Sequence, residues 1–205
     1  MNIFETEFAA YLSAKKSGQR KEAMISLNAF LGNCEKLNID AKREVVTDFF
    51  KRQDADDRVF AYAYLLNSQL LFPVLQAWCA ENPAESWIWR SFAEVVGFRE
   101  YLTSAQGDTL CIDENAPLDD LPIRKALYRT LELDPADHLA RMMYVKSMLE
   151  TLKLLHHDRD AGDISAAPLI PAESNKIAAQ LALLPDTQEK LQLAKQLRCI
   201  TGDYL

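Results

Sequence analysis

Apolar positions recur every three or four residues along most of this chain, the period of helices with one buried face. Over residues 3–16, Ile3, Phe4, Phe8, Tyr11 and Leu12 share a face, and Gly18 supplies a stop. A second helix is expected from about Gln19 to Lys36, with Ala23, Leu27, Phe30, Leu31 and Cys34 turned inward. A third is expected from about Ile39 to Arg52, with Val45, Val46, Phe49 and Phe50 on its apolar side. Asp54, Asp56 and Asp57 then read as an acidic helix entry, complementary to the positive end of a helix dipole. From Arg58 to Ala80 the sequence is apolar nearly all round, which predicts a central, buried pair of helices. Asn67-Ser68 and Pro73 argue against one straight rod there; Pro73 belongs in the first turn or at a kink of the second helix.

Three similar starts punctuate the rest: Pro83-Ala84-Glu85-Ser86, Pro135-Ala136-Asp137-His138 and Pro171-Ala172-Glu173-Ser174. Proline suits a first helical turn because its missing N–H has no partner there anyway. The acid that follows faces the positive end of the dipole. The expected helices are Pro83 to about Val96, stopped by Gly97, then about Leu121 to Leu133, and Pro135 to about His156. Two more follow over about 171–183 and 186–200, the last ended by Gly202. Segments 104–122 and 158–170 read as loops, the first because of Gly107, Pro117 and Pro122. Strand signals are nearly absent, so the fold class is all-α, one helical domain over 1–205 with residues 1–82 as its N-terminal helices.

Charge changes the picture in one place. The net charge is −7, which argues against nucleic acid as the main ligand, because phosphate binding needs a basic surface. Segment 104–122 holds Asp108, Asp113, Glu114, Asp119 and Asp120 and no lysine or arginine, so it carries −5 of that total. A long acidic loop between helices is often functional. No run approaches the length of a membrane span, and Met1-Asn2-Ile3-Phe4-Glu5 lacks the basic-then-apolar order of a signal peptide. Cys34, Cys79, Cys111 and Cys199 lie far apart with no Cys-x-x-Cys pair, which fits reduced thiols in a cytoplasmic protein.

Residues 83–157 resemble tetratricopeptide-type repeats, helix–turn–helix units of 34 residues. Leu131-Glu132-Leu133-Asp134-Pro135 closes a hairpin as those units do. After Pro83, the sequence Trp89, Phe92, Ala93 and Val96 matches their large, large, small, large spacing, the small Ala93 allowing a paired helix to come close. Pro135 and Pro171 are 36 residues apart, near one unit, while Pro83 and Pro135 are 52 apart, one unit plus the acidic insertion. Two positions depart from the pattern: Arg141 and Gln180 stand where apolar residues are expected. The resemblance implies stacked antiparallel hairpins, an α–α superhelix or compact helical array, that binds another protein with the inner face of each first helix.

In that register the face holds Trp87, Arg90 and Glu94, then Leu139, Met142, Lys146 and Glu150. Trp87 is the leading anchor, because Trp87 and Trp89 cannot share a face and Trp89 is assigned to the core. Two partner chemistries are expected. A basic toxin domain would be met by Asp113, Glu114, Asp119 and Asp120, as in an immunity protein that mimics phosphate charge. An extended peptide would be met by Trp87, Arg90, Met142 and Lys146. No cofactor is expected. The enzymatic alternative is a metal site on His138, His157 and Asp158, closed by Asp186 or Asp203, which faintly resembles the helical HD phosphohydrolases.

Overall fold

The computed structural model describes residues 4–52, 63–106, 121–162, 165 and 167–202, and these are helical with no strand among them. A π-helical turn, Phe4–Phe8, leads into α1 (Ala9–Lys16). Then come α2 (Arg20–Glu35), α3 (Ile39–Arg52) and a short α4 (Tyr64–Leu66). A second π turn, Asn67–Leu71, leads into α5 (Phe72–Ala80). The remaining helices are α6 (Ser86–Gln106), α7 (Pro122–Leu133), α8 (His138–Asp160), α9 (Leu169–Ala182) and α10 (Gln188–Thr201). The acids at 54, 56 and 57 and those of 108–120 lie outside the described residues.

The chain divides into two compact units. Unit 1 takes the described residues of Met1–Pro83 and Glu94–Leu110, and unit 2 those of Ala84–Ala93 and Cys111–Leu205. In unit 1 the apolar stripe of α2 folds as its spacing dictates: Ala23, Leu27, Phe30, Leu31 and Cys34 are its buried residues. Gly18 stands between α1 and α2 at φ +72°, a conformation that a side chain disfavours. Aromatic rings close this core. Phe8 lies 5.6 Å from Tyr11, 5.2 Å from Phe30 and 5.8 Å from Phe49, tilted or edge-on. The Arg43 guanidinium ties α3 to α5, lying 5.2 Å over the Trp78 ring while pairing with Glu81.

Pro73 stands in the first turn of α5, as its sequence position predicts, and it does not break the helical path that leads into that helix. Residues 64–80 stay helical, and the widened turn over Asn67–Leu71 comes just before the proline, whose ring and missing N–H the regular ladder does not accommodate. Asn67, in that turn, is buried and donates from Nδ2 to the Val95 carbonyl at 3.0 Å. Gly97 does not stop its helix either. α6 runs on to Gln106, and Gly97 is absent from the left-handed glycines, Gly18, Gly162 and Gly202. Without a left-handed turn, a glycine only weakens a helix, by about 1 kcal/mol relative to alanine.

Unit 2 is built from helices packed on their neighbours in the sequence. α8 packs on α7 and α9, and α10 packs on both α9 and α8. Its main core joins Val145, Met148, Leu149, Leu152 and Leu155 of α8 to Ile177 and Leu181 of α9 and Leu193 and Leu197 of α10. A second cluster sets Ala93, Ala126 and Ala140 together with Leu127. These small side chains let three helices approach closely. Gly202 ends α10 in the left-handed conformation, as its sequence position indicated.

Candidate functional site

The three proline starts take different places in the helices. Pro83 and Pro135 precede α6 and α8, whose first residues are Ser86 and His138; Pro171 is the third residue of α9. Asp134 and Asp137 do the starting at α8. Asp134 Oδ1 accepts from the Ala136 N–H at 3.1 Å, and Asp137 Oδ1 caps the helix by accepting from Ala140 N–H at 2.9 Å. The other oxygen of Asp137, Oδ2, pairs with Arg90. Asp137 is buried by these contacts. So Arg90, expected to face a partner, is already committed to the entry of the next hairpin.

The remaining expected contacts are distributed as follows. Trp87 and Glu94 are both half-buried and both engaged within the molecule, Trp87 in unit 2 and Glu94 in unit 1. Neither tryptophan of the pair is wholly interior: Trp89 is also half-buried, packing with Phe92 against the alanine cluster, while Ile88 between them is fully buried. Met142 packs against the main core of unit 2. Lys146 is exposed and pairs with Glu189 of α10 at 2.6 Å. Leu139 and Glu150 are exposed on the same helix, Glu150 holding Lys153 at 2.6 Å. Asp113, Glu114, Asp119 and Asp120 lie outside the described residues.

The two departures from the repeat pattern find each other. Arg141, 7% exposed, donates from Nη1 to Gln180 Oε1 at 2.6 Å and from Nη2 to the Pro135 carbonyl at 2.6 Å. A polar pair therefore stands between α8 and α9 where two apolar side chains were expected. A second polar layer was not foreseen. Arg124 of α7 is 1% exposed, 2.6 Å from the Glu173 carboxylate of α9 and 2.8 Å from the Thr151 hydroxyl of α8. Glu173 is thus no helix-entry acid facing solvent but the buried counter-ion of Arg124. Periodicity carried the signal: Arg124 stands three and seven residues before Leu127 and Leu131, and Glu173 four and eight before Ile177 and Leu181. A charge in an apolar stripe marks a buried pair.

The histidine site does not assemble. His138 and His157 lie on one helix, nineteen residues apart in number, hence about 28 Å at 1.5 Å per residue. One ion cannot bind both. Segment 158–160, expected to be loop, is instead the last turn of α8, where His157 and Arg159 suit the negative dipole end. His157 Nδ1 is 3.4 Å from Asp158 Oδ1, both exposed. Arg159 bonds Asp160 and holds its carboxyl below the usual range. Burial is the main cause holding the His156 ring below its ordinary value. Among the described residues no three His, Cys, Asp or Glu side chains are placed to hold a metal ion. No described helix is long and apolar enough to cross a membrane.

Thiol chemistry separates by burial. Cys34 is pushed up to about 11, first by burial, then by the Glu7 carboxylate, with Lys42 pulling the other way. Burial pushes Cys79 up to about 12. Both remain protonated at neutral pH and are poor nucleophiles, while Cys199 is exposed. Compared with family models, with curated proteins and with solved structures, the chain matches none.

Proposed function

We propose that this chain is a non-enzymatic, cytoplasmic helical-repeat protein of the tetratricopeptide-like kind that binds another protein, in the role of an immunity protein neutralising a basic toxin domain. What supports the reading is the packing in unit 2: α7 packs on α8, α8 on α9 and α9 on α10, and links also reach the next but one. Arg90–Asp137 joins α6 to the entry of α8, Arg124–Glu173 joins α7 to α9, and α8 packs on α10. Stacked hairpins offer one extended face for a partner.

Between the two binding modes, the internal ion pairs favour the acidic insertion. Using Arg90 on a partner would strip a buried Asp137 of its cation, which is costly. Lys146 is more easily lent, since an exposed pair is worth little. The run 108–120 offers five carboxylates with no basic residue among them. The test is quantitative capture of partners by the tagged full chain from its native cells. The expected result is a basic partner lost when Asp113, Glu114, Asp119 and Asp120 are all changed to Lys and kept by Trp87→Ala. The opposite result favours the extended-peptide adaptor. Equal capture by wild type and both variants overturns both modes.

A further inference from the structure

Unit 1 carries a concavity of about 520 Å³ walled by α2, the start of α3 and the π turn before α5. The buried Leu31, Cys34 and Leu70 line it together with Asn28, Glu35, Lys42 and Gln69. The volume is that of a small-molecule site. Gly32 of α2 also lines it, and this glycine has no backbone or packing reason to be there. Its φ is ordinary, and a Cβ built on it would meet nothing within 4 Å. A glycine inside a 16-residue helix weakens that helix. What it does here is leave the wall of the concavity bare.

The groups around that bare wall are chemically specific. The carboxamides of Asn28 and Gln69 each offer a donor and an acceptor, the complement of a peptide group. Lys42 complements a carboxylate and Glu35 a basic group. Leu31 and Leu70 suit a short aliphatic side chain. We infer that this concavity binds a short peptide carrying both an acidic and a basic group. The choice of a peptide over another zwitterion rests on the protein-binding reading above; the site itself does not. Cys34 takes no covalent part, since its thiol stays protonated until about pH 11.

The probe is the tripeptide acetyl-Lys-Ala-Leu with a free carboxylate, added to the full-length ¹⁵N-labelled chain. The side-chain amide signals of Asn28 and Gln69 are expected to shift saturably. The C-terminal amide of the same peptide is expected to bind at least tenfold more weakly, as is an equimolar mixture of the free amino acids. Gly32→Leu, which meets open space, is expected to fold with an unchanged circular dichroism spectrum and to abolish the shifts. Unmoved signals at millimolar tripeptide, or shifts that persist in Gly32→Leu, overturn the inference. So do free amino acids that match the peptide. If Gly32→Leu abolishes the shifts while capture of a protein partner is undiminished, the concavity and the partner surface are separate sites and both readings stand. If the peptide does not bind while partner capture persists, the concavity alone is overturned.

Discussion

The two units are closed by different chemistry. Unit 1 is sealed by rings: Phe8, Tyr11, Phe30 and Phe49 meet around one centre. Unit 2 is sealed by aliphatic side chains, and through it run two polar layers, Arg124–Glu173–Thr151 and Arg141–Gln180. Rings displaced by a small shift in register still bury their apolar surface. A buried ion pair is strong only in one register, because displacement leaves a charge in low dielectric. The polar layers of unit 2 therefore favour one stagger of α7, α8 and α9 over others.

Breaking the pairs should cost as much as breaking the rings, but only the pairs should be rescuable. Glu173→Ala leaves the Arg124 guanidinium buried without its carboxylate and should cost about 3–5 kcal/mol in urea unfolding. Adding Arg124→Met removes the stranded charge, and the double variant with Glu173→Leu should recover most of the loss. Phe8→Ala should cost about 3–5 kcal/mol through the cavity it opens, with no equivalent second change to restore it. If the Glu173 variants are not rescued, the contrast between the units fails.

Asp137→Ala should cost about 0.5–2 kcal/mol, since one carboxylate both caps α8 and holds Arg90. Gly32→Ala should be a small gain, about 0.5–1 kcal/mol, because the helix accepts a Cβ there freely. A fall in the melting temperature of Gly32→Ala would contradict the open space on that face.

Alkali should separate the units in kind. Burial lifts the Tyr11 phenol to about 12, with Cys34 at about 11 and Cys79 at about 12, all in unit 1. The unfolded chain releases thiol protons from about pH 8.5 and the folded chain keeps them. The unfolded state then binds fewer protons, so this stability is complete below that pH and is lost as pH rises toward the folded values. Melting temperature should fall between about pH 9 and 11, and fall less in the double variant Cys34→Ala, Cys79→Ala.

The amphipathic stripes of α2 and α3 were the easiest parts of the sequence to read. The inward residues of α2 and the bounds of α3 follow from clean amphipathic stripes, where burial and hydrophobicity agree. Gly97 was misleading because a glycine stops a helix only if the chain turns left-handed there, and that choice belongs to tertiary packing. Glu173 was misleading because an acid in a first turn has two physical uses, facing the dipole or pairing in the core. Only the partner on α7, about fifty residues earlier in the sequence, decides between them. The expected binding residues were partly obscured in the same way: Arg90 and Lys146 look free in sequence and are engaged in the fold by Asp137 and Glu189.

The claim that polar pairs fix how the helices of unit 2 meet is tested most directly at Arg141 and Gln180, two departures from the expected pattern that bond each other. A double-mutant cycle of Arg141→Leu, Gln180→Leu and the pair, read by urea unfolding, measures that bond. The account predicts that each single change destabilises, that the double is more stable than their sum, and that the coupling is about 1 kcal/mol or more. Strictly additive losses would contradict it, because the two residues would then stand in unit 2 as independent defects rather than as one joint between α8 and α9.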